Sequence, residues 1–267
     1  MGFIRRGLFV IVSLALLFAL IAGSFFWTLS QSLNYEVLAP QLKEVAKDVT
    51  NNQMNLKNDI SIKYSQMSSH CMNNSEYRFY NDNLKHEFVF SCSLVLNGTD
   101  AVFDNAIDEL VKDIYFREYD CDFWDCALKT GSPFFLISQK AKNYWNEKFM
   151  IALAISILLV VLLFFLINNK MNLPIYLGSV LILSSLLFRF LEIFLLKIAM
   201  IPLFGMIPQG LESVISNFDF LFVKSYLVMW VGFSLGIFLI ALGISFKIWN
   251  YFYGKETEGK SIVKNKK

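Results

Sequence analysis

Histidine is scarce in this chain of 267 residues, which contains only His70 and His86. His70 stands next to Cys71 and His86 opens a predicted strand, so neither has the further partners that a zinc site or a catalytic triad requires. We expect both to be surface side chains. Phosphate-binding and dinucleotide-binding glycine motifs are missing as well. The sequence therefore predicts no catalytic residue, no metal ion and no cofactor.

Basic residues form no patch of the kind that binds nucleic acid. The net charge is only +2, and the one basic cluster is the C-terminal stretch GKETEGKSIVKNKK. Because this stretch is short, polar and adjacent to an apolar segment, we expect it to be disordered and to face lipid headgroups. Nucleic acid is therefore excluded as a partner, whereas the lipid bilayer is expected as one.

Charged residues are nearly absent from four long segments, which explains why 55% of the chain is hydrophobic. A soluble domain contains about 45–50% apolar residues. A membrane-spanning helix needs about 20 mostly apolar residues. The segments that meet this requirement are 7–29, 149–167, 173–196 and 226–246, of which the third carries charges near one end. The sequence therefore predicts four transmembrane helices.

The first of these segments must be distinguished from a cleaved signal peptide. Arg5 and Arg6 precede it, and small residues occur at positions 22–24. Its apolar run, however, exceeds the roughly 7–15 residues of a signal core. The run also continues through Phe25, Phe26 and Trp27. We therefore predict an uncleaved membrane anchor.

Lysines and arginines near the ends of the spans predict their orientation, because such residues are enriched in cytoplasmic segments. With four spans, one face carries Arg5, Arg6, Lys170 and the lysines that follow the last span. We expect this face to be the cytoplasmic side of the cell membrane. It comprises the N-terminus (1–6), a turn (168–172) and a basic tail (247–267), so both termini are cytoplasmic.

The segments 30–148 and 197–225 then lie outside the cytoplasm. Residues 30–148 contain 12 lysines and arginines against 17 aspartates and glutamates, a net charge of −5, which agrees with a translocated domain. In the shorter segment, Pro208 is expected to open an amphipathic helix that lies in the membrane interface or under the outer domain.

The apolar pattern of residues 30–148 predicts a small α+β domain, because it changes from a helical period to a period of two and back. We expect a first helix over 40–66 that is interrupted near residues 51–52, followed by a hairpin of strands 77–80 and 88–96. A second helix is expected over 101–119, capped by Asp100. A third is expected to start at Ser138 and to continue into the second span. The first helix either packs on its own domain or pairs with a second copy of the chain. On the helix over 101–119, Asp104, Asp108 and Lys112 are expected to face away from the core.

All four cysteines, Cys71, Cys92, Cys121 and Cys126, fall in this outer domain. An even number of cysteines on the oxidising side of a membrane predicts two disulfides, each contributing about 2–4 kcal/mol to stability. If the hairpin turns near Asp82, Cys71 lies almost opposite Cys92. We therefore favour the pairs Cys71–Cys92 and Cys121–Cys126.

Two other interpretations of the cysteines are open. Four spans with two outer cysteine pairs have the layout of the quinone-linked disulfide oxidases. However, a reactive pair is usually C-x-x-C, whereas Cys121 and Cys126 are separated by four residues and stand among Asp120, Asp122 and Asp125, which raise a thiol pKa. The spacings also lack the paired C-x-x-C of a zinc site and the twelve-residue loop of a calcium site. Structural disulfides are therefore favoured.

Two N-glycosylation motifs lie at predicted turns of the outer domain, Asn73-Asn74-Ser75 and Asn97-Gly98-Thr99. Asn73 and Asn97 are therefore candidate acceptors in a host that glycosylates. Chance matches are the alternative, since the chain is rich in asparagine.

Ionisable residues inside a bilayer are candidates for function, and the third span contains Arg189 and Glu192. Three residues apart on one helix, they can pair. At 1.5 Å per residue, Arg189 lies about 24 Å from the inner end of the span, in the outer quarter of a hydrocarbon core roughly 30 Å thick. We expect a neutralised pair near the outer interface, with Lys197 extending outward. The alternative is a part of a transporting site.

The stretch GFSLG in the fourth span matches the G-x-S-x-G pattern of a serine nucleophile. That pattern requires a strand-to-helix turn and a histidine base, and no span contains a histidine. The same residues match G-x-x-x-G, a close helix-packing motif. Gly232 and Gly236 are therefore predicted to pack against a neighbouring helix.

These observations predict a polytopic α-helical membrane protein with four transmembrane helices and a small disulfide-stapled α+β extracytoplasmic domain between spans 1 and 2. We expect a non-enzymatic protein whose outer domain mediates interaction or adhesion with a protein, glycan or envelope partner, or with further copies of itself. One alternative is a subunit of a membrane transport or secretion assembly that uses the helix face of Arg189 and Glu192. A second is a membrane thiol–disulfide oxidoreductase.

Overall fold

The computed structural model describes residues 2–52, 55–81, 86–129, 133–194 and 224–264. Within them the chain is mostly helical. The elements are α1 (Gly2–Ser32), α2 (Tyr35–Asn52), α3 (Leu56–His70), β1 (Glu76–Asn81), β2 (His86–Ser91), α4 (Cys92–Val95), α5 (Thr99–Phe116), α6 (Phe123–Lys129), α7 (Gln139–Leu166), α8 (Leu173–Phe194) and α9 (Ser225–Lys264), with 3₁₀ turns at Pro133–Ile137 and Lys170–Asn172.

Four of the described helices are long and apolar enough to cross a membrane, as the sequence predicts. The qualifying segments are Ile4–Ser32, Gln139–Leu166, Lys170–Phe194 and Ser225–Tyr251. Few of their side chains are buried, and large apolar groups such as Phe18, Phe165 and Phe190 are exposed. An exposed apolar surface of this extent is typical of helices that contact lipid. The architecture is that of a multi-pass membrane protein.

The chain divides into two compact units, and the first contains residues 1–30, 145–208 and 221–267. In it α1 and α7 are antiparallel, with Arg5 bonded to Leu166 at one end and Trp27 stacked on Phe149 at the other. Helices α8 and α9 are also antiparallel. At one end of this pair Gly243 contacts Ile175, and at the other Ser225 donates a hydrogen bond to Glu192. A separate cluster of buried side chains connects α1, α7 and α8; it consists of Val12, Leu16, Leu163 and Val180.

The second unit contains residues 31–144 and 209–220. Strands β1 and β2 form an antiparallel pair, in register from Glu76 opposite Ser91 to Asn81 opposite His86. One face of this hairpin, with Phe79, Phe88 and Phe90, is buried in a core shared with α2, α3, α4 and α5. The core also contains Leu38, Leu56, Ile60, Met67, Val95, Val102, Phe103, Ile107 and Tyr115. The predicted small α+β domain is therefore mostly helical, with one two-stranded hairpin.

Several predicted element boundaries in the second unit are wrong. The second strand ends at Ser91 rather than at residue 96, because β1 begins opposite Ser91 and offers no partner further along. The chain there turns into α4, which buries Cys92 and Val95 at helical spacing. The first helix begins earlier than predicted, so Pro40 lies inside α2 rather than in its first turn. Helix α2 ends at Asn52, where the sequence predicts an interruption near residues 51–52.

Helix α5 also differs from the prediction. Its N-cap is Gly98 and not the predicted Asp100. Asp100 lies in the first turn, where its carboxylate is stabilised by the positive end of the helix dipole. Asp104 and Asp108 do face away from the core, as predicted, but each also pairs at 2.6 Å with a lysine of α2, Lys47 and Lys43 respectively. The two lysines reach these aspartates because α2 packs along α5.

In the first unit, α9 continues to Lys264, past the predicted end of the fourth span at residue 246 and into the tail that was expected to be disordered. Helix α7 begins at Gln139 and runs without a break into the second span, as predicted, and the hydroxyl of Ser138 accepts the N–H of Ala141. The predicted helix after Pro208, the side chain of Lys197 and the hairpin turn at Asp82 lie outside the described residues.

Candidate functional site

The residues 119–126, which we call the stapled loop, are closed by a disulfide between Cys121 and Cys126. Cys126 is fully buried, and its N–H donates to the carbonyl of Asp122 at 2.8 Å. From the first turn of α7, the ammonium of Lys140 donates to the carbonyl oxygens of Tyr119, at 2.6 Å, and of Cys121. The loop is therefore held by a covalent bond and by two hydrogen bonds to α7.

Phe123 packs the stapled loop into an aromatic cluster of the second unit. Its ring is stacked on Tyr144 with centroids 3.9 Å apart, and it contacts Phe135 at 5.4 Å. Phe135, fully buried, also meets Tyr119 at 5.1 Å. The same burial raises the pKa of Tyr119. Aromatic pairs of this kind add about 0.5–1.5 kcal/mol each to the area that they bury.

Trp124 follows Phe123 but faces the opposite way, with 61% of its surface exposed. Its ring meets the edges of Phe123, at 5.3 Å, and Tyr144, at 6.3 Å. The indole is therefore supported on one side and open on the other. Around it the stapled loop exposes three aspartates, Asp120, Asp122 and Asp125.

A groove of about 750 Å³ lies beside the stapled loop. Its lining carries charges of both signs, and one of them, Arg117, is paired with Asp113 at 2.8 Å, which raises the pKa of the guanidinium. The lining residues are Phe116, Arg117, Glu118, Tyr119, Asp120, Gln139, Lys140 and Asn143. The groove is therefore polar and shares Tyr119 and Asp120 with the stapled loop.

The second disulfide joins Cys71 to Cys92, so both pairs are those that the sequence favours. Cys71 caps the C-terminus of α3 and Cys92 opens α4, and the N–H of Cys92 donates to the carbonyl of Ser75 at 2.8 Å. Both cysteines are buried. This disulfide therefore ties α3 to the end of the hairpin in the core of the unit, where neither sulfur is accessible to a partner.

Arg189 and Glu192 are paired in α8, with a nitrogen and an oxygen 2.6 Å apart. The hydroxyl of Ser225, at the start of α9, donates to the other oxygen of Glu192 at 2.8 Å, and the guanidinium of Arg189 lies 4.0 Å from the ring centre of Tyr226. Glu192 is only 3% exposed. The carboxylate is therefore neutralised and hydrogen-bonded within one chain.

Gly232 and Gly236 lie at the contact between α8 and α9. A β-carbon on Gly236 would fall 2.8 Å from the carbonyl oxygen of Gly178, and one on Gly232 would strike the hydroxyl of Ser185. Ser234, the central residue of GFSLG, is on the exposed face of α9. The glycines thus allow two backbones to approach closely.

The remaining predicted residues form no site. His70 is exposed and contacts Tyr77, whereas His86 is half-buried, 4.0 Å from Glu109. In the described part of the chain, no three His, Cys, Asp or Glu residues are grouped so that they could hold a metal ion. The candidate glycosylation residues, Asn73 and Asn97, are both exposed at turns, where a transferase could reach them.

Four residues that sequence reasoning missed complete these sites: Trp124, Lys140, Ser225 and Tyr226. Trp124 lay in the cysteine motif, but the sequence did not distinguish it from the buried Phe123, because both stand between Asp122 and Asp125. Ser225 and Tyr226 are separated from Arg189 by more than 30 residues, so no local pattern connects them. Lys140 gave no signal, because its partners are backbone carbonyls.

No protein-family model matches the chain, and no curated protein or solved structure is similar to it. The geometry of the described residues is therefore the basis of the functional proposal.

Proposed function

We propose that this chain is a non-enzymatic membrane protein whose second unit is an extracytoplasmic interaction domain that binds a protein partner through the stapled loop. The observation that carries the proposal is the placement of Trp124, which is 61% exposed on a loop held by a disulfide and by the buried Phe123. Tryptophan is enriched among the few residues that dominate binding energy at interfaces. Because the loop is already held in place, little conformational entropy is lost on binding.

The partner's chemistry follows from the surroundings of Trp124. Asp120, Asp122 and Asp125 are exposed around the indole. A complementary surface would offer an apolar pocket for the indole with lysines or arginines at its rim. Opposite charges at a rim chiefly raise the association rate and depend on salt concentration.

An extracytoplasmic position for the second unit is supported by three features. Arg5, Lys170 and Lys247 lie at the same end of the first unit, because its helices alternate in direction. Residues 30–148 are acidic and contain all four cysteines, which are paired. The asparagines of both glycosylation motifs are exposed. A basic inner face and a disulfide-containing outer domain agree with the usual distribution of charge and thiols across a membrane.

Sidedness is tested by labelling intact cells with a membrane-impermeant maleimide. The native cysteines are all paired, so a new thiol gives an unambiguous signal. We expect Asn97→Cys to be labelled and Lys247→Cys to be labelled only after permeabilisation. The reverse result would overturn the proposal.

The role of Trp124 is tested by site-directed photocrosslinking in intact host cells. A benzophenone side chain at position 122, next to the loop tip, should form an adduct with a second protein. Trp124→Ala should abolish that adduct, whereas the matched control Tyr80→Ala, which removes another exposed aromatic side chain of the same unit, should retain it. An adduct that survives Trp124→Ala would contradict the proposal, as would the absence of any adduct.

The geometry gives less support to the alternative of a transport or secretion subunit. Arg189 and Glu192 satisfy each other and Ser225 within one chain, so neither needs a charged partner from another subunit. A membrane oxidoreductase has one feature in its favour, the Lys140 ammonium close to the Cys121 backbone, since a nearby cation lowers a thiol pKa. The three neighbouring aspartates and the buried sulfur of Cys126 act against it.

A further inference from the structure

A cleft of about 790 Å³ opens in the first unit where α1 begins, α7 ends and α8 begins. Its polar wall consists of two arginines, three asparagines and a tyrosine, and its apolar wall of four hydrophobic side chains. The lining residues are Arg5, Arg6, Asn168, Asn169, Asn172 and Tyr176, with Phe9, Val10, Leu166 and Ile167. Among the described residues no acidic side chain lines the cleft, so the charge that they give it is positive.

Arg5 is fixed in the wall of the cleft. Its Nε donates to the carbonyl of Leu166 at 2.9 Å and its Nη2 to the carbonyl of Phe165 at 3.3 Å. These bonds occupy the free carbonyls at the end of α7 and compensate the negative end of its dipole. A guanidinium has five N–H donors, so Arg5 keeps others for a ligand.

Arg6 and Asn169 provide further donors. Arg6 is exposed and has no ion pair among the described residues. The side-chain oxygen of Asn169 accepts the N–H of Met171 at 3.1 Å, which leaves its amide nitrogen for another acceptor. The cleft therefore combines two positive charges with amide donors, a set that matches a phosphodiester flanked by hydroxyl groups.

We propose that this cleft binds the headgroup of an anionic glycerophospholipid. The phosphate is held by Arg5 and Arg6, and the start of an acyl chain lies along Phe9, Val10 and Leu166. Two observations favour a lipid over free phosphate. The apolar wall of the cleft makes no favourable contact with a free ion. The cleft also lies where the apolar run of α1 begins and that of α7 ends, which is the depth of the lipid headgroups. Basic pockets between helices on the cytoplasmic side are recognised sites for anionic lipids.

The test uses the full chain in a neutral detergent, with lipid adducts counted by native mass spectrometry. Dioleoylphosphatidylglycerol should bind more strongly than dioleoylphosphatidylcholine. Arg6→Gln should weaken phosphatidylglycerol binding about fivefold, because one of two phosphate-directed charges is lost, and since Arg6 is exposed the fold should be retained, as checked by the melting temperature. The matched control Lys247→Gln removes a basic residue outside the cleft and should change binding less than twofold.

Two outcomes would overturn the proposal. Equal loss in Arg6→Gln and Lys247→Gln would mean that binding follows general charge and not the cleft. Displacement of phosphatidylglycerol by millimolar inorganic phosphate at constant ionic strength would mean that the cleft takes a free anion. Arg5→Lys gives a second check, because it keeps the charge but not the fork geometry, and it should reduce the preference for phosphatidylglycerol.

Discussion

Phe123 is stacked on Tyr144, with ring centroids 3.9 Å apart and planes inclined by 6°. This contact joins the stapled loop to α7, the helix that continues into the second membrane span. It also determines that the next residue, Trp124, faces outward. A packing contact between residues distant in the sequence thus presents the side chain that we propose for partner binding.

The two neighbouring aromatics of the loop should therefore respond differently to truncation. Phe123→Ala should lower the free energy of unfolding by about 3–5 kcal/mol, because it leaves a cavity against Tyr144 and Phe135. Trp124→Ala should change it by less than about 1 kcal/mol. Thermal unfolding of the full chain in detergent, followed by circular dichroism, measures both. Equal destabilisation would show that Trp124 serves packing.

Stability should fall as the pH rises above about 10. Burial raises the pKa of Tyr115 and of Tyr119 above the unfolded value of 10.0. Between the unfolded and the raised folded pKa, the unfolded chain has lost protons that the folded chain keeps, so raising the pH favours unfolding. The stabilisation that the two protonated tyrosines contribute is fully present below pH 10, and it is lost as the pH rises through their pKa values in the folded protein. Melting temperatures from pH 8 to 11 measure this.

Tyr115→Phe provides the control for the pH dependence. The hydroxyl of Tyr115 donates to the carbonyl of Leu33 at 2.8 Å, so its removal leaves a buried acceptor unpaired, at a cost of about 1–3 kcal/mol. The variant should therefore be less stable at pH 8, yet lose less stability than the wild type between pH 10 and 11. An unchanged slope would mean that Tyr115 does not titrate in this range.

Three lysines of α2 and α3 pair with three aspartates one turn apart on α5. The pairs are Lys43–Asp108, Lys47–Asp104 and Lys57–Asp100. Because all are exposed, Asp104→Asn should lower the urea midpoint only slightly, and this difference should disappear near 1 M salt. The control Asp48→Asn, an exposed aspartate on α2, should show no such salt dependence. Chemical unfolding by urea at two salt concentrations measures the difference.

The contact between α8 and α9 should not tolerate a side chain at Gly236. A β-carbon there would lie 2.8 Å from the carbonyl oxygen of Gly178, so Gly236→Val must separate the helices, at a cost of about 1–3 kcal/mol. Gly7 has no atom within 4 Å of such a β-carbon, so Gly7→Val should leave the melting temperature of the detergent-solubilised protein unchanged. Equal effects would exclude a packing role for Gly236.

Breaking the buried pair in α8 should be strongly destabilising. Among the described residues, Arg189→Gln leaves the carboxylate of Glu192 with Ser225 as its one remaining partner, and the loss of one member of a buried pair costs about 3–5 kcal/mol. The double variant Arg189→Gln/Glu192→Gln should recover part of this loss, because no buried charge remains. Melting temperatures of the wild type, Arg189→Gln, Glu192→Gln and the double variant measure the coupling. If the double variant lost the sum of both single effects, the pair would not be coupled.

The sequence alone predicts the four membrane helices, the interruption after Asn52, the hairpin and the pairing of Cys71 with Cys92. Each of these depends on quantities written in consecutive residues: the length of an apolar run, the period of apolar side chains, and the distance of two cysteines from one turn. Where the sequence failed, the cause was non-local. The strand predicted to residue 96 ends at Ser91 because β1 supplies no further partner.

Only the tertiary structure decides which distant residues meet. Ser225 and Tyr226 reach Arg189 and Glu192 because α8 and α9 are antiparallel, and the outward position of Trp124 depends on the stacking of Phe123 on Tyr144. These contacts join residues about 20 or more positions apart, and their stability comes from the burial of shared surface, which no local pattern records. Apolar periodicity therefore determined the elements, and packing between them decided the sites.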